Sequence, residues 1–391
     1  MQFFKCATAV SLAAPIFGSG GNPVTPVTVH EWGTFTTVSD EAGQEAEWSP
    51  LGAPSDLPCF VQHLHGLQFK SFNPPNTVPV TRTVTVRMET PVLYFYAPKK
   101  TTLSVAVDFP KGLITEWYPK ADKVTPEPAA TMPEVEKGRI EWNNLDITPG
   151  EKPWLAKGTG PSPYYAARDT DSDPVRVGND QEKLLFYRGI ANFQVPVTAR
   201  TWLGDSIDIG NTGAESIKLA ILFENRSGKI GYRIMRGLAG HAVLDAPELT
   251  ANLATLKHDL AGALVEQGLY PKEAAAMVAT WSDSWFEEGM RVFYLVPRSL
   301  VDRELPLTIK PAAADIRRVF VGRVEVLSPY RRDKLATALV KGDTAELDRL
   351  GRFLLPFLPQ VAAKPSDLVA PYLAAKATEA RKEFFSPSCV R

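Results

Sequence analysis

Apolar and polar positions alternate along the first part of the chain in the manner of β-strands. The stretch TVTVRM at residues 83–88 alternates strictly, which predicts a strand with one buried face. Runs rich in β-branched and aromatic residues at 27–38, 102–108 and 216–223 predict further strands. Pro and Gly interrupt these runs at intervals of about ten residues, which is typical of an antiparallel sandwich rather than of alternating strand–helix–strand units.

The pattern changes to helical spacing near residue 245. A capping-box-like start at Asp245 precedes leucines that recur at helical intervals from Leu249 to Leu264. Pro271 predicts the start of a second helix, and a further leucine-rich helical region follows residue 328.

Together these patterns predict an α+β fold, with a large antiparallel β-sandwich-like part and a helical C-terminal part packed on it. The β-rich domain is expected to span residues 23–243 and the helical part residues 244–391. Residues 290–327 return to strand character, so this segment is expected to rejoin the sheet.

The N-terminal residues 1–22 have the features of a secretory signal peptide. A single basic residue, Lys5, precedes the apolar stretch 6–17, and small residues with a Gly/Pro-rich linker follow. A buried first strand or helix is the alternative. Export would place the protein outside the cytoplasm, in the periplasm or secreted. There Cys59 and Cys389 are candidates for a disulfide, and otherwise they are independent thiols.

The net charge and the absence of several sequence motifs exclude or disfavour some classes of function. The 391 residues include 43 Lys and Arg against 44 Asp and Glu, a net charge of -1, which argues against nucleic-acid binding through bulk phosphate neutralisation. No run of 18 apolar residues occurs, so no membrane span is expected. The glycine-rich signatures of dinucleotide and P-loop sites are absent, which disfavours a nucleotide cofactor, and G-x-S-x-G and H-E-x-x-H are absent too.

The segment His30-Glu31-Trp32 is the first candidate site. Neighbouring residues of a strand point to opposite faces, so His30 and Trp32 share one face while Glu31 lies on the other. His30 is a candidate general base or metal ligand, Glu31 a candidate acid/base and Trp32 a candidate binding surface. The alternative is a hydrogen-bonded histidine near a sheet edge.

A second candidate site is the H-x-H spacing of His63 and His65, which places both imidazoles on one face of a strand. Two convergent imidazoles suit zinc, copper, nickel or iron. His30, His241 or Cys59 would have to supply a third ligand. The alternative is the polar outer face of a strand or loop.

Carboxylates in the loop after residue 168 form a third candidate site. Their relative positions 1, 3, 5 and 12 match the spacing of an EF-hand-like calcium loop. They belong to Asp169, Asp171, Asp173 and Asp180. Pro174 stands where that motif requires Gly, and the last position is Asp rather than Glu. The alternative is a solvated acidic loop whose carboxylates pair with Arg168 or Arg176.

Three Glu-Trp pairs suggest contact with sugars, since aromatic faces stack on pyranose rings and paired carboxylates provide acid/base chemistry. They are Glu31-Trp32, Glu116-Trp117 and Glu141-Trp142. Strands in which a core Trp alternates with a surface Glu produce the same pattern, and that interpretation is favoured. In the long loop, Trp154, Tyr164 and Tyr165 are better candidates for exposed stacking surfaces, with Arg168 beside them as a candidate binding residue.

Aromatic and charged residues also cluster around residue 285. Trp281 and Trp285 follow helical spacing and are expected to pack in the core. The acidic pair at 287–288 lies near a helix C-terminus and opposes the helix dipole. A buried ion pair with Arg291 or Arg188 is therefore expected rather than catalysis.

A resemblance to known proteins is carried by the stretches VHEWGTFTTV, METPVLYFY, LITEWYP, FYRG and SWFEEGMRV. They resemble a group of uncharacterised exported bacterial proteins that carry a VHEWGTFT segment soon after a signal peptide. The resemblance covers most of the chain. It implies export, and it implies no activity because the group has no assigned one.

These candidates support three functional hypotheses. The first is an exported, metal-assisted hydrolase-type enzyme acting on a small molecule or polysaccharide. In it His30 is base or ligand, His63 and His65 hold a transition metal, Glu31 or Glu116 is the acid/base, and Trp32 and Trp117 contact the substrate. It requires that these groups gather in one water-accessible hollow.

The second hypothesis is a non-catalytic, calcium-dependent module that binds polysaccharide or peptide. The third is a structural or assembly protein of the envelope, with the helical part as a docking surface.

Overall fold

The computed structural model describes residues 24–50, 57–64, 83–127, 134–158 and 160–382. The expected signal peptide, His65 and Cys389 lie outside these residues. The strands are β1 (Val24–Val38), β2 (Gln62–His63), β3 (Val86–Tyr96), β4 (Thr101–Phe109), β5 (Gly112–Tyr118), β6 (Lys123–Thr125), β7 (Gly138–Ile147), β8 (Val175–Val177), β9 (Asp180–Glu182), β10 (Leu185–Ala191), β11 (Val197–Thr201), β12 (Ile207–Asn211), β13 (Ile217–Arg226), β14 (Lys229–Leu238), β15 (His241–Leu244), β16 (Gly289–Leu295), β17 (Leu307–Lys310) and β18 (Ala312–Val326). The α-helices are α1 (Leu253–Glu266), α2 (Pro271–Thr280), α3 (Ser282–Trp285), α4 (Arg298–Glu304), α5 (Pro329–Lys341), α6 (Thr344–Asp348), α7 (Leu354–Phe357) and α8 (Ala370–Lys382), and 3-10 turns span Pro163–Arg168, Gly351–Phe353 and Leu358–Gln360.

Strand β1 lies at the centre of a nine-stranded sheet with the order β14-β13-β16-β18-β1-β3-β10-β5-β2. It pairs in parallel with β18 and antiparallel with β3, and the other neighbouring pairs are antiparallel. The other strands of the described residues form a six-stranded sheet (β17-β4-β7-β8-β9, with β6 on β7) and a three-stranded sheet (β11-β12-β15).

Apolar side chains on both faces of the nine-stranded sheet form separate cores. One core, which includes Phe35 and Trp142, lies between this sheet and the two smaller sheets. On the opposite face α1, α2 and α3 cover Trp32, and Trp285 of α3 packs in the same core. A third core joins the end of β1 to α5, α6 and α7. Burial on both faces explains why residues 27–38 are so rich in apolar and β-branched side chains.

The α+β class is confirmed, with a large sheet part and helices concentrated in the C-terminal part. The segment 290–327 does more than extend the sheet at an edge, because β16 and β18 lie in its middle. The expected start of the first helix at Asp245 is wrong. Residues 241–244 instead pair with β12 as β15, and α1 begins after Asn252, whose side chain accepts the N–H of Ala254 at 2.7 Å.

A β-bulge marks the middle of the large sheet. The register between β1 and β3 shifts after Trp32, where β3 contains an extra residue. In this bulge Thr90 has a φ of 45°, which is strained for a β-branched residue. Its buried hydroxyl accepts a hydrogen bond from Arg188 Nη2 at 3.1 Å. Backbone strain of this kind is common at functional sites, so the side chains around the bulge are candidates for one.

Close strand packing leaves no room for a side chain at Gly189. A Cβ on Gly189 would collide with the backbone oxygen of Leu113, so we expect Gly189→Ala to lower the free energy of unfolding by about 1–3 kcal/mol. Gly262→Ala is the matched control, because Gly262 lies within α1 with open space around its Cα. This control is expected to gain up to about 1 kcal/mol. Urea unfolding measures both, and a Gly189→Ala variant as stable as the parent contradicts the packing argument.

Candidate functional site

The side chains of β1 divide between the two faces of the large sheet. His30 and Trp32 point toward α1 and α2, while Glu31 points to the opposite face. All three are buried. Since β1 is a central strand, His30 is not near an edge of the sheet.

His30 is held by a carboxylate of α2. Its Nδ1 lies 2.7 Å from Glu273 Oε2. The same carboxylate accepts the hydroxyl of Tyr96 at 2.7 Å and the backbone N–H of Tyr270 at 2.7 Å. Since an ionised carboxylate only accepts, Nδ1 is the donor in this contact, and Nε2 is the ring nitrogen that Glu273 does not bind. Among the described residues, Nε2 of His30 has no hydrogen bond. We call these two residues the His30–Glu273 pair.

The start of α2 fixes the position of Glu273. Pro271 opens the helix, and Glu273 in its first turn reaches back to the N–H of Tyr270, as in a capping box. The rings of Tyr96 and Tyr270 flank the imidazole of His30, with centroids 5.5 and 4.5 Å away. Burial, and then the negative charge of Glu273, raises the pKa of Tyr96 well above its usual range, so its hydroxyl remains a donor. Tyr270 is 44% exposed, which places the pair directly beneath the surface.

Glu31 forms a buried ion pair on the other face. Arg318 Nε and the hydroxyl of Tyr187 donate to its two carboxylate oxygens. Arg318 also donates to Asp302 at 2.9 Å and to the carbonyl of Leu305 at 2.7 Å. Both oxygens of Glu31 are therefore occupied away from solvent, and an acid/base role for this residue loses its structural basis.

A row of charged side chains crosses the helix-covered face beyond Trp32. Strands β5, β10, β3, β18 and β16 contribute to it, together with two threonines of β1. We call the following residues the charged row: Glu116, Arg188, Arg87, Glu89, Thr34, Thr36, Arg323, Glu325 and Arg291. None is more than 8% exposed. Each stretch that carries the resemblance described above supplies at least one member.

Glu89 is the carboxylate at the centre of the charged row. Its Oε1 lies 2.6 Å from Arg352 Nη1, and Thr36 donates to its Oε2 at 2.9 Å. Burial alone would raise the pKa of Glu89, but four surrounding guanidinium groups lower it to about 2. They belong to Arg352, Arg87, Arg323 and Arg188. Glu89 is therefore ionised at any physiological pH.

Two further carboxylates hold the arginines at the other end of the row. Arg323 Nη2 lies 2.7 Å from Glu287 Oε1, and Arg291 Nε lies 3.0 Å from Glu325 Oε1. Burial lowers the pKa of Arg291 to about 10 against the opposing charge of Glu325. The expected ion pair of Glu287 forms, but its partner is Arg323, because Arg291 is directed to Glu325 and to the carbonyl of Trp285.

His63 lies on β2 at the edge of the large sheet, in register with Glu116 of β5. Burial lowers the pKa of His63; Glu116 opposes this effect and Arg188 reinforces it. Four strand positions, about 19 Å across the sheet, separate β2 from β1, and the register places His63 level with Thr34 rather than with His30. His30 therefore does not complete a metal site with His63.

The imidazole of His241 does not join these groups. His241 lies on β15 in a different sheet, with its Nδ1 3.3 Å from Asp208 Oδ1. His65 lies outside the described residues. Within the described ranges, no three His, Cys, Asp or Glu side chains are grouped in a way that could hold a metal ion. The gathering of His30, Glu31 and His63 in one hollow, which the first hypothesis requires, is wrong, because His30 and Glu31 lie on opposite faces of β1 and His63 lies at the sheet edge.

Three of the four carboxylates of the expected calcium loop bind different partners. The partners are the ammonium of Lys272 for Asp171, the N–H of Ala97 for Asp173 and the N–H of Lys120 for Asp180. Asp169 is exposed at the end of the first 3-10 turn. Asp180 begins β9, which pairs with β8 in a hairpin, so the second half of the segment is strand rather than a ligand loop.

The aromatic residues of the long loop enclose an arginine. The guanidinium carbon of Arg168 lies 5.1–5.4 Å from the ring centroids of Tyr164, Tyr165 and a neighbouring phenylalanine. Arg168 pairs with Glu182, which also accepts the hydroxyl of Tyr164 at 3.0 Å. Tyr164 is only 2% exposed, so its expected role as an exposed stacking surface is wrong. Trp154 is 75% exposed.

The Glu-Trp pairs follow the favoured interpretation only in part. Trp32, Trp117 and Trp142 are core residues, as alternation predicts. Glu31 and Glu116 are also buried rather than on the surface, because each lies on a face that other elements cover. Trp32 and Trp117 consequently offer no exposed binding surface.

Sequence reasoning did not identify Glu273 or most of the charged row. The helix start at Pro271 signals a carboxylate in the first turn, but not the strand residue that it meets. Arg87 and Glu89, at alternate positions of a strand, indicate a polar face; they do not indicate that helices cover that face.

Three further observations bear on the expected setting of the protein. Cys59 is disulfide-bonded; Cys389, its expected partner, lies outside the described residues. In the part of the chain that the structure describes, no helix has the length and apolar character needed to cross a membrane. Comparison with protein-family models and with curated proteins gives no match.

Proposed function

We propose that the protein is an exported enzyme of the hydrolase type in which the His30–Glu273 pair acts as the general base. The observation that carries the proposal is the 2.7 Å contact between His30 Nδ1 and Glu273 Oε2. A carboxylate at Nδ1 orients an imidazole and stabilises the imidazolium that forms when Nε2 takes a proton. Export rests on the signal-peptide features of residues 1–22.

The surroundings of the pair support proton transfer at Nε2. Three donors hold the carboxylate of Glu273: His30, the hydroxyl of Tyr96 and the N–H of Tyr270. The carboxylate therefore keeps its orientation while the charge of the imidazole changes. A water molecule beside Nε2 would give its proton to this nitrogen as its oxygen attacks the substrate, and the imidazolium would return the proton to the leaving oxygen as the bond to that oxygen breaks. The half-exposed ring of Tyr270 marks the side from which a small molecule or polysaccharide chain would approach.

A panel of p-nitrophenyl esters, phosphates and glycosides tests the proposal. We expect turnover of at least one class, reduced by about 10²–10⁴-fold in His30→Gln, because a positioned general base contributes a factor of that order. Tyr96→Phe removes one hydrogen bond to Glu273 and is expected to cause a smaller loss.

Two controls keep this test decisive. His258→Gln changes an exposed histidine of α1 and is expected to leave turnover unchanged. Tyr96→Phe is a conservative change that serves if His30→Gln fails to fold. Absence of turnover across the panel, or equal rates in the parent and the His30→Gln and Tyr96→Phe variants, contradicts the proposed role of the pair.

A further inference from the structure

We infer that Arg352 and two members of the charged row, Arg323 and Thr34, form a binding site for an anionic group, a carboxylate or a phosphate. The site goes beyond the proposed function, because Thr34 lies about 13 Å along β1 from His30. It rests on buried donor atoms that have no acceptor and on the arrangement of two arginines beside one aromatic ring.

Arg323 has a donor without an acceptor in a fully buried position. Its Nε and Nη2 bind Glu325 and Glu287. Its Nη1 has no hydrogen-bond partner among the described residues. A buried guanidinium N–H left without an acceptor is costly, since charged groups lose the most when they are desolvated without compensation.

Arg352 presents a second such donor close to the first. Its Nη1 binds Glu89, and its Nη2 has no hydrogen-bond partner within the described residues. The guanidinium carbons of Arg323 and Arg352 lie 5.1 and 4.9 Å from the ring centroid of Phe353. Arg323 Nη2 lies 2.7 Å from Glu287 Oε1, and Arg352 Nη2 lies 3.9 Å from the same oxygen, an ion pair that is too long for a hydrogen bond. The two cations are therefore neighbours that share one carboxylate.

Thr34 supplies an independent observation on the adjacent strand. Its side chain is fully buried, and its Oγ1 has no hydrogen-bond partner among the described residues. It faces the charged row, because its Cα is paired with Glu89 of β3 and it lies two residues before Thr36, the register partner of Arg323. Leaving a buried hydroxyl unsatisfied is destabilising, and a ligand acceptor at this place would satisfy it.

The chemistry of these donors selects an anion as the ligand. The planar fork of a guanidinium matches the two oxygens of a carboxylate or phosphate, and such charge-assisted bonds are the strong ones. Access from solvent is available beside Glu287, whose side chain is 37% exposed, and Arg352, whose side chain is 15% exposed. An anionic group entering there would meet Arg352 first and Arg323 and Thr34 behind it.

Titration of the full-length protein with inorganic phosphate and with acetate tests this site, with chloride at equal ionic strength as the reference. We expect either anion to raise the melting temperature above the chloride reference and to bind in calorimetry. Preference for phosphate or for acetate identifies the group. Arg352→Gln is expected to weaken binding at least about tenfold, the loss of one charge-assisted bond. Arg349→Gln, a half-exposed arginine nearby, is the matched control and should change affinity less than about twofold.

Thr34→Val separates binding from a structural role. It removes the hydroxyl but keeps the shape, so anion affinity should fall about five- to tenfold. The melting temperature without anion should not fall, because no internal hydrogen bond is lost. A response to phosphate and acetate no larger than to chloride, or equal losses in the Arg349 and Arg352 variants, overturns the inference. The inference is also overturned if Thr34→Val lowers the melting temperature without anion and leaves the anion affinity unchanged.

Discussion

Glu31→Gln is expected to lower the free energy of unfolding by about 3–5 kcal/mol, the effect of removing one partner from a buried ion pair. Arg318 loses its closest carboxylate in a position where its side chain is 1% exposed. Asp302 and the carbonyl of Leu305 hold only its Nη1. Glutamine has nearly the same shape as glutamate, so no cavity contributes to the loss. Urea unfolding at neutral pH measures it.

Glu141→Gln is the matched control for this experiment. Glu141 also pairs with an arginine, at 2.8 Å from Arg139, but the two side chains are 21% and 35% exposed. Partly exposed pairs contribute about 0–1 kcal/mol. If both variants lose the same small amount, Glu31 does not stabilise the buried face in the way its contacts indicate.

A second large effect is expected from Glu89 and depends on pH. Arg352 and the other guanidinium groups lower the pKa of Glu89 from an ordinary 4.5 to about 2. A lowered pKa in the folded state means that the stabilisation is fully present above the unfolded value and is lost as pH falls through the folded value. One pKa unit corresponds to about 1.4 kcal/mol, so about 3 kcal/mol should disappear between pH values of about 4.5 and 2.

Glu89→Gln removes this titration. At neutral pH the variant should be less stable than the parent, because Arg352 and Arg87 lose a charged partner. As pH falls from about 4.5 toward 2 the difference in free energy of unfolding should shrink, since the parent becomes protonated at Glu89. Glu136→Gln, at an exposed pair, should follow the parent at every pH. A constant difference between parent and Glu89→Gln across this range contradicts the assignment.

Local signals account for the parts of the fold that the sequence predicts. The β-branched and aromatic run at 27–38 becomes β1, and Pro271 opens α2, because strand alternation and helix capping depend on neighbouring residues. The start of α1 is not predictable in this way. The capping-like signal at Asp245 does not start a helix, because Ala251 forms a β-bridge with Ile230 and this long-range contact keeps the preceding residues out of α1.

In the candidate site, too, the sequence predicts what neighbouring residues determine and does not predict the long-range contacts. Alternation correctly places His30 and Glu31 on opposite faces of β1. The partner of His30, however, is 243 positions away, and no pattern in either segment predicts this contact. Charged side chains at Arg87 and Glu89 look like a solvated strand face, because ionised groups are rarely buried without partners. Only the packing of Arg352 and the helices against this face shows that the charges are enclosed.

The parallel pairing of β1 (Val24–Val38) with β18 (Ala312–Val326) has a consequence for biosynthesis. A nascent polypeptide holds its first strand without its final neighbour until most of the chain has left the ribosome. Such high contact order slows folding and prolongs the exposure of sticky strand edges. A premature stop before Ala312 is therefore expected to leave β1 paired only with β3, with its other edge open.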